Sequence, residues 1–493
     1  MESKDVLLNI GISSISGYMS GRYASKQNIN TTLSASYIIY IDGTTIKAVN
    51  GTTGVVDFSG SDAATVINNA IGNLSSGGNV FIFAGTYNIT SSISPGYPNS
   101  SRRNNIWLYG AGDATILILS PGASINLNLV DNIKISNLYI DCSNHTTINS
   151  DYGIVTVDAN NINIDKVTVY NAYGFGICIT ASTTAKNITV QNCILNGTGN
   201  QDVIGGGCNV PSAILSDIIY KNNFVTQSTS IGHTYNVAID NVKTYRTQII
   251  NNSVYGGIVL GNENFPNTYT EIIGNLVKPA LNQTPGFISV WTSSNATTNA
   301  KYISIRDNII QGGHIEILGI PSQYTLFSEI NNNIIDASFD TLAINVQYGN
   351  LINIIGNLIT SGGIEVPNSS DISIRNNQIS NSTNGINLYS SPTIYATENT
   401  FKNVTNPFVG LGGSNVTIKN NIGYVTENSG SSTGTGAQQT VAHGLAITPT
   451  RQQIALTAGS ATALPFHSAA PDATNIYVTA ALNQAWYWAT VGT

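Results

Sequence analysis

The chain has 493 residues, with 19 Lys and Arg against 26 Asp and Glu, and only 9% of it is charged. Ordinary soluble domains are roughly 25% charged, so this surface must be polar but uncharged, and the lack of any basic run argues against a nucleic-acid partner. No apolar run reaches the roughly 18 residues of a membrane-spanning helix.

At the N-terminus Leu8, Ile12, Ile15 and Met19 recur at helical spacing, which predicts a short amphipathic helix over Val6–Tyr23. Gly17 and Gly21 form a small-residue pair that would let another helix approach closely. The opening Met-Glu-Ser-Lys-Asp carries no net positive charge, and Asn9, Ser13, Ser14 and Ser16 break the apolar run. A retained anchor or assembly helix therefore fits better than a cleaved secretory signal. A polar stretch then leads to a first strand at Tyr37–Ile41, and residues 1–42 read as an anchor and assembly segment.

Val55-Val56-Asp57-Phe58 precedes Ser61-Asp62, a helix N-cap, and a helix is expected over Ala63–Ile71 with Ala63, Val66, Ile67 and Ala70 on one face. Gly77 to Ile89 and Ile106 to Gly112 follow as strand patterns. Beyond them one phrase recurs, whose form is Ile372 to Ile379, Ile-Ser-Ile-Arg-Asn-Asn-Gln-Ile. Alternating aliphatics face one side of a strand, and the Asn pair turns the chain. Copies start at Ile133, Ile162 and Ile188, and later ones end at Asn223, Asn252, Asn275, Asn308, Asn333, Asn357, Asn377, Asn399 and Asn421. A second phrase, small-Ile-x-aliphatic, follows at Gly176 to Ile179, Gly257 to Leu260, Ile288 to Val290, Ile315 to Ile317, Ile344 to Val346, Gly363 to Val366 and Gly385 to Leu388. Turns 20 to 33 residues apart, with two or more short strands between them and no helical period, give the rungs of a parallel β-helix. Asn suits the turn because it tolerates the left-handed region, and stacked Asn amides can bond from rung to rung.

The order of strand, short helix, Gly-rich strand and repeats resembles the entry to the pectate-lyase-like superfamily of right-handed parallel β-helices, with Phe83 where that family usually has Pro. The resemblance runs from about Gly54 to Tyr424, and the superfamily includes pectin-degrading enzymes and viral tailspikes. It implies that the short helix caps the open end of the coil. The Asp and Arg-Ile-Lys signatures of its polygalacturonases are absent from the rungs, which argues against that chemistry.

Glu427 to Gly436 reads as a flexible linker. Gln439 to Leu445 with Thr448-Pro449-Thr450 resembles the opening of small β-sandwiches at the tips of viral tail fibres. Trp486, Tyr487 and Trp488 are either core aromatics or a sugar-stacking surface, a mixed core role fitting better. The expected organisation is all-β: a β-helix over residues 43–428 with an N-terminal capping helix, then the linker and a small C-terminal β-sandwich over 429–493.

Many Asn-x-Ser/Thr sequons and a nearly uncharged surface fit a glycoprotein exposed outside the cell. Of four cysteines, Cys178 and Cys208 follow glycines on neighbouring rungs and would pair in an oxidising compartment. The five histidines, His145, His233, His314, His443 and His467, have no metal-ligand spacing and read as structural or exposed, so no metal or other cofactor is expected.

One constellation carries chemistry. If the aliphatics of the second phrase point inward, its middle residues form an outward column of Val259, Ser289, Glu316, Asn345, Glu365 and Asn387, with Trp291 and Tyr389 on the same face. Glu316 and Glu365 lie two rungs apart, about 9.6 Å, near the upper edge of the roughly 6.5–9.5 Å between the acid and base of inverting glycosidases. They are the candidate catalytic pair; Ser289, Trp291, Asn345, Asn387 and Tyr389 are the candidate sugar-binding groups. The resemblance and this face imply a viral tailspike or receptor-binding fibre on the virion surface, a homotrimer that attaches to host carbohydrate or glycoprotein and joins other virion proteins through its N-terminal segment. A polysaccharide hydrolase or lyase and a cellular adhesion protein are the alternatives.

Overall fold

The computed structural model describes residues 35–95, 103–147, 151–197, 202–208, 212–227, 237–262, 268–280, 285–292, 299–389, 391–459 and 463–490. The helix expected over Val6–Tyr23 lies outside them. Each rung of the repeat region contributes three short strands. Tyr245–Ile250 runs into the turn at Asn251 and Asn252, Ser253–Tyr255 and Gly257–Asn262 follow, and Thr268–Ile273 opens the next rung. Each strand pairs in parallel with its counterpart one rung on, as in Ile249 with Ile272, Val254 with Val277 and Ile258 with Ile288. The result is a coil with three parallel faces, called here the first, second and third sheets. The two sequence phrases are its first and third strands. The middle strand, such as Ile309–Gln311 or Ile334–Asp336, spans three residues and is too short to show a period.

Inward aliphatics stack like on like. Ile272, Ile305, Ile330, Ile354 and Ile374 occupy one register position on successive rungs, and all are fully buried. Burying each contributes about 1.5–3 kcal/mol, and a one-residue slip would turn the whole file to solvent. At the N-terminal end a helix over Ala63–Gly72 closes the coil: Asp62 caps it by accepting from Thr65 N at 2.8 Å, while Ala63, Ala64, Val66, Ile67, Ala70 and Ile71 join the core.

The Asn turn divides its labour between two residues, a split that the sequence reading missed. The left-handed backbone falls on the residue before the ladder position: Asn222, Asn251, Gly274, Asp307, Asn332, Gly356 and Asn376 all have φ between 53° and 69°. The following Asn is buried, and its side chain bonds along the coil. Asn308 receives the Asn275 backbone N–H at 2.9 Å and its amide at 3.0 Å, and donates its own amide to Ile272 O and to Asn333 Oδ1. The same pattern runs without a break from Asn223 to Asn421. In earlier rungs Asn137, Lys166 and Asn192 take the left-handed role themselves, and Leu138, Val167 and Cys193 stand where the ladder would continue.

A second left-handed file marks the start of the first-sheet strands. Register places Asn132, Asn161, Asn187, Asp217, Arg246, Tyr269, Tyr302, Phe327, Leu351 and Asp371 in one column, with φ between 51° and 59°. This conformation costs an L-residue about 1–2 kcal/mol, which Asn offsets locally and an aromatic does not.

At the C-terminal end two three-stranded antiparallel sheets pack around Ile454, Ile476, Val478, Ala480, Trp486 and Trp488. Trp486 and Trp488 are core residues and Tyr487 is exposed, so the aromatic run is mixed as expected. The segment read as a linker contains a strand, Ser429–Thr433, paired with Ala485–Thr490. Its glycine serves packing: a Cβ on Gly430 would sit 2.7 Å from Trp488 Nε1. The expected Cys178–Cys208 pair does not form, and all four cysteines are free. Cys178 faces Gly205, and Cys208 lies three residues further along that strand, about 10 Å away and beyond the roughly 7 Å Cα limit of a disulfide.

Truncating Asn333 to Ala leaves the Asn308 N–H and amide without their acceptor, at about 1–3 kcal/mol for each buried group. Guanidinium unfolding should show a loss of at least about 2 kcal/mol for Asn333→Ala, whereas Asn332→Gly, at φ 55°, should be neutral or stabilising.

Candidate functional site

The third sheet carries the predicted column. Ile288, Val290, Ile315, Ile317, Ile344 and Val346 are fully buried, so the residue between each pair faces outward. Ser289 pairs with Glu316, Glu316 with Asn345, Asn345 with Glu365, and Glu365 with Asn387, while Val259 precedes Ser289. The six residues thus form one continuous file. Its two ends, Val259 with Ser289 and Asn387, are covered by neighbouring side chains, and Glu316, Asn345 and Glu365 are half-buried.

The file separates into two clusters. At the C-terminal end Glu365 accepts from the Tyr389 hydroxyl at 3.3 Å and from the Asn387 amide at 3.4 Å. The Glu365 charge, then partial burial, push the Tyr389 phenol above its ordinary pKa. Trp291 does not join Tyr389. It lies at the other end of the file against Gly261 and Leu318, four rungs or about 19 Å from Tyr389.

At the other end Glu316 accepts from Ser289 Oγ at 2.6 Å and faces His314, with Nε2 at 3.7 Å from its carboxylate. His314 was expected to be structural or exposed, with no metal-ligand spacing. It stands two residues before Glu316 on the same strand face, and its Nδ1 lies 2.6 Å from Asp340 Oδ2, a contact the sequence did not show. Asp340 sits in the turn before Leu342–Gln347, where its carboxylate also accepts from Thr341 N at 2.7 Å. Phe287 stacks on the imidazole at 5.9 Å. Burial alone would lower the His314 pKa, but Asp340 and Glu316 outweigh it and push the imidazole up to about 9. Burial likewise works against Glu316, yet His314 and Ser289 hold its carboxyl below the usual range. For Asp340 the His314 contact is the leading cause of the same downward shift. The cluster therefore holds an imidazolium between two carboxylates at neutral pH.

Asp340 and Glu365 also line one cleft of ≈ 320 Å³, together with Gly363, Asn381, Asn384 and Asn387. Its walls offer amide donors and acceptors with fixed carboxylates at the rim, a set suited to hydroxyl-rich ligands. Glu316 is unsuited to act as a general acid, because an acid needs its proton at neutral pH and this carboxylate is held ionised.

No protein-family model matches the chain, and no curated protein matches it. Among solved structures it is similar to the tailspike protein of E. coli bacteriophage HK620. One structure of that tailspike in complex with a pentasaccharide superposes with a TM-score of 0.52 at 14% identity, covering 87% of this chain and 90% of the other. A second pentasaccharide complex gives 0.52 at 13% identity over the same shares, and another structure of that tailspike gives 0.52 at 14% over 87% and 89%. The fold is a parallel β-helix. The β-helix expected from the repeats, its capping helix and the terminal β-sandwich are all present.

The His314 cluster has a pH signature. A pKa raised from 6.5 to about 9 contributes stability that is full below pH about 6.5 and lost as pH rises through about 9. The lowered carboxylates contribute above their ordinary values of 4.5 and 3.8 and lose that contribution as pH falls. Wild type should exceed His314→Gln in thermal stability by on the order of 2–3 kcal/mol near pH 6, and the gap should close by about pH 10. A gap that does not vary with pH would contradict the cluster.

Proposed function

We propose that the protein is a tailspike-like receptor-binding fibre that attaches to glycans on a cell surface through the third-sheet file. The observation that carries this reading is the register that aligns Ser289, Glu316, Asn345, Glu365 and Asn387 beside the Asp340–Glu365 cleft. Hydroxyl groups of a sugar would bond to Glu365, Asn345 and Asn387, and the Tyr389 ring would cover one face of a pyranose. Trp291 would extend the same surface toward the N-terminal end. The oligosaccharide complexes of the HK620 tailspike support a carbohydrate ligand for this fold. Hydrolysis is the second reading, favoured by the two-rung separation of Glu316 and Glu365, with Glu316 as ionised base.

In this reading the chain works as a homotrimer on a virion, with the segment before residue 35 joining it to other virion proteins. An aliphatic stripe on the second sheet supports self-association: Ile309, Ile334 and Leu358 fall in one register file and are each more than 40% exposed. The three aliphatics are themselves uncharged, and Asp336, two residues past Ile334 on the same face, is the ionised group beside them. Weak sites on several chains of one spike would then bind together.

Glu365→Gln and Tyr389→Ala should each weaken retention on the receptor glycan at least tenfold while the chain stays folded. Glu316→Gln should leave retention within a few-fold, and it should abolish sugar release if the pair is hydrolytic. Unchanged retention in both Glu365→Gln and Tyr389→Ala would remove this face from the account. In a separate measurement, sedimentation at micromolar concentration should show a trimer for wild type and a monomer for Ile309→Lys/Ile334→Lys. A wild-type monomer would sink the fibre reading.

A further inference from the structure

The left-handed file on the first sheet changes character along the coil. In the early rungs it is an amide ladder, with Asn132, Asn161 and Asn187 bonded in series at 2.9 to 3.0 Å. Asp217 and Arg246 follow as a two-bond ion pair of 2.6 and 2.7 Å. Then come Tyr269, Tyr302 and Phe327, exposed by 57%, 43% and 48%, with ring centroids 4.8 and 5.6 Å apart and planes within 16° of parallel. Aromatic residues are poor choices for φ of 52° to 57°, and beyond their mutual stacking these rings leave about half of their surface to solvent. A strained, exposed and mutually stacked file points to a ligand.

Two residues beyond each ring, on the same side of the strand, stands a hydrogen-bonding group: Glu271 after Tyr269, Ser304 after Tyr302 and Glu329 after Phe327. Ser304 donates to Glu329 at 2.6 Å, and Gln248 donates to Glu271 at 2.7 Å, so both carboxylates are held in place. Two clefts lie along this double file, of ≈ 470 and ≈ 460 Å³, and they share Tyr302 and Ser304. Together they make one groove from Asp217 to Asp371, six rungs or about 29 Å along the axis.

We propose that this groove is a second carbohydrate site, separate from the third-sheet file, which takes a neutral polysaccharide laid along the coil. Stacked rings beside fixed carboxylates match a pyranose chain, whose C–H faces pack on aromatics while its hydroxyls donate to carboxylates without needing a counter-charge. A second copy of the chain fits poorly. It would bury the Asp217–Arg246 pair, Glu271 with Arg306 at 3.9 Å, and Glu329 and Asp371, with only 19 Lys and Arg in 493 residues to offset the excess of carboxylates. The aliphatic stripe on the second sheet suits that role instead.

The column itself supplies a variant that preserves folding. Asn occupies the same register position with the same backbone in earlier rungs, so Tyr269→Asn/Tyr302→Asn/Phe327→Asn should fold with thermal stability unchanged or raised. Binding is measured by calorimetry with neutral chito-, manno- and xylo-oligosaccharides, using an oligo-uronate as the charged control. Wild type should bind at least one neutral oligomer and the triple variant at least tenfold more weakly, with the oligomeric state kept. Tyr389→Ala should retain binding at the groove, which separates failure here from failure of the third-sheet reading. Equal binding by wild type and triple variant, no binding of any neutral oligomer by wild type, preference for the uronate, or a loss of oligomeric state in the triple variant would each overturn the proposal.

Discussion

Parallel pairing leaves no hairpin to fix the offset between strands, so a coil of this kind depends on whatever holds each rung in step with the next. Here that constraint is the buried amide ladder. Each Asn accepts from the backbone and side chain of the rung before it and donates to the rung after it, so a slip at one turn would orphan several buried groups at once. The aliphatic core is non-directional and would tolerate a shift by one whole rung. The ladder and the alternation of inward residues together do not. Every outward column is a consequence: residues far apart in sequence become neighbours because their rungs cannot move.

The charged groups gain their weight from scarcity. With 9% charge in the whole chain, few residues can perturb one another, and the His314 cluster concentrates three of them. Held between Glu316 and Asp340 and covered by Phe287, the imidazolium fixes Glu316 as an ionised acceptor and anchors the turn that carries Asp340 to the cleft. Glu365, one cluster away, keeps softer partners in Tyr389 and Asn387 and faces the same cleft. The arrangement ties one carboxylate into an ion-paired cluster and leaves the other at the cleft with neutral partners.

The repeats made much of this legible. Two phrases with a fixed offset were enough to name the fold, and the outward column was readable in full because a strand alternates strictly and register preserves the order. What escaped the sequence required contact between rungs of unequal length. His314 shares a face with Glu316 two residues on, which was readable, but Asp340 reaches it from a turn whose path no period describes. The aromatic file was hidden because Tyr269, Tyr302 and Phe327 precede the phrase by one position and look like ordinary surface residues until their backbone angles are known. Ser429–Thr433 has the composition of a linker for a packing reason, since its small residues admit the Trp488 ring. Cys178 and Cys208 seemed matched because glycine neighbours suggested a common position, and the true register differs by three.

The central claim is that register-aligned columns on the outer faces of the coil are where carbohydrate binds. Its most direct test is a structure of the chain soaked with oligosaccharide fragments of cell-surface glycans. The account predicts sugar density over Glu365, Asn387 and Tyr389 on the third sheet, with hydroxyls within hydrogen-bond distance of the Glu365 carboxylate. Sugar found only on the terminal β-sandwich, with the coil faces bare, would contradict it.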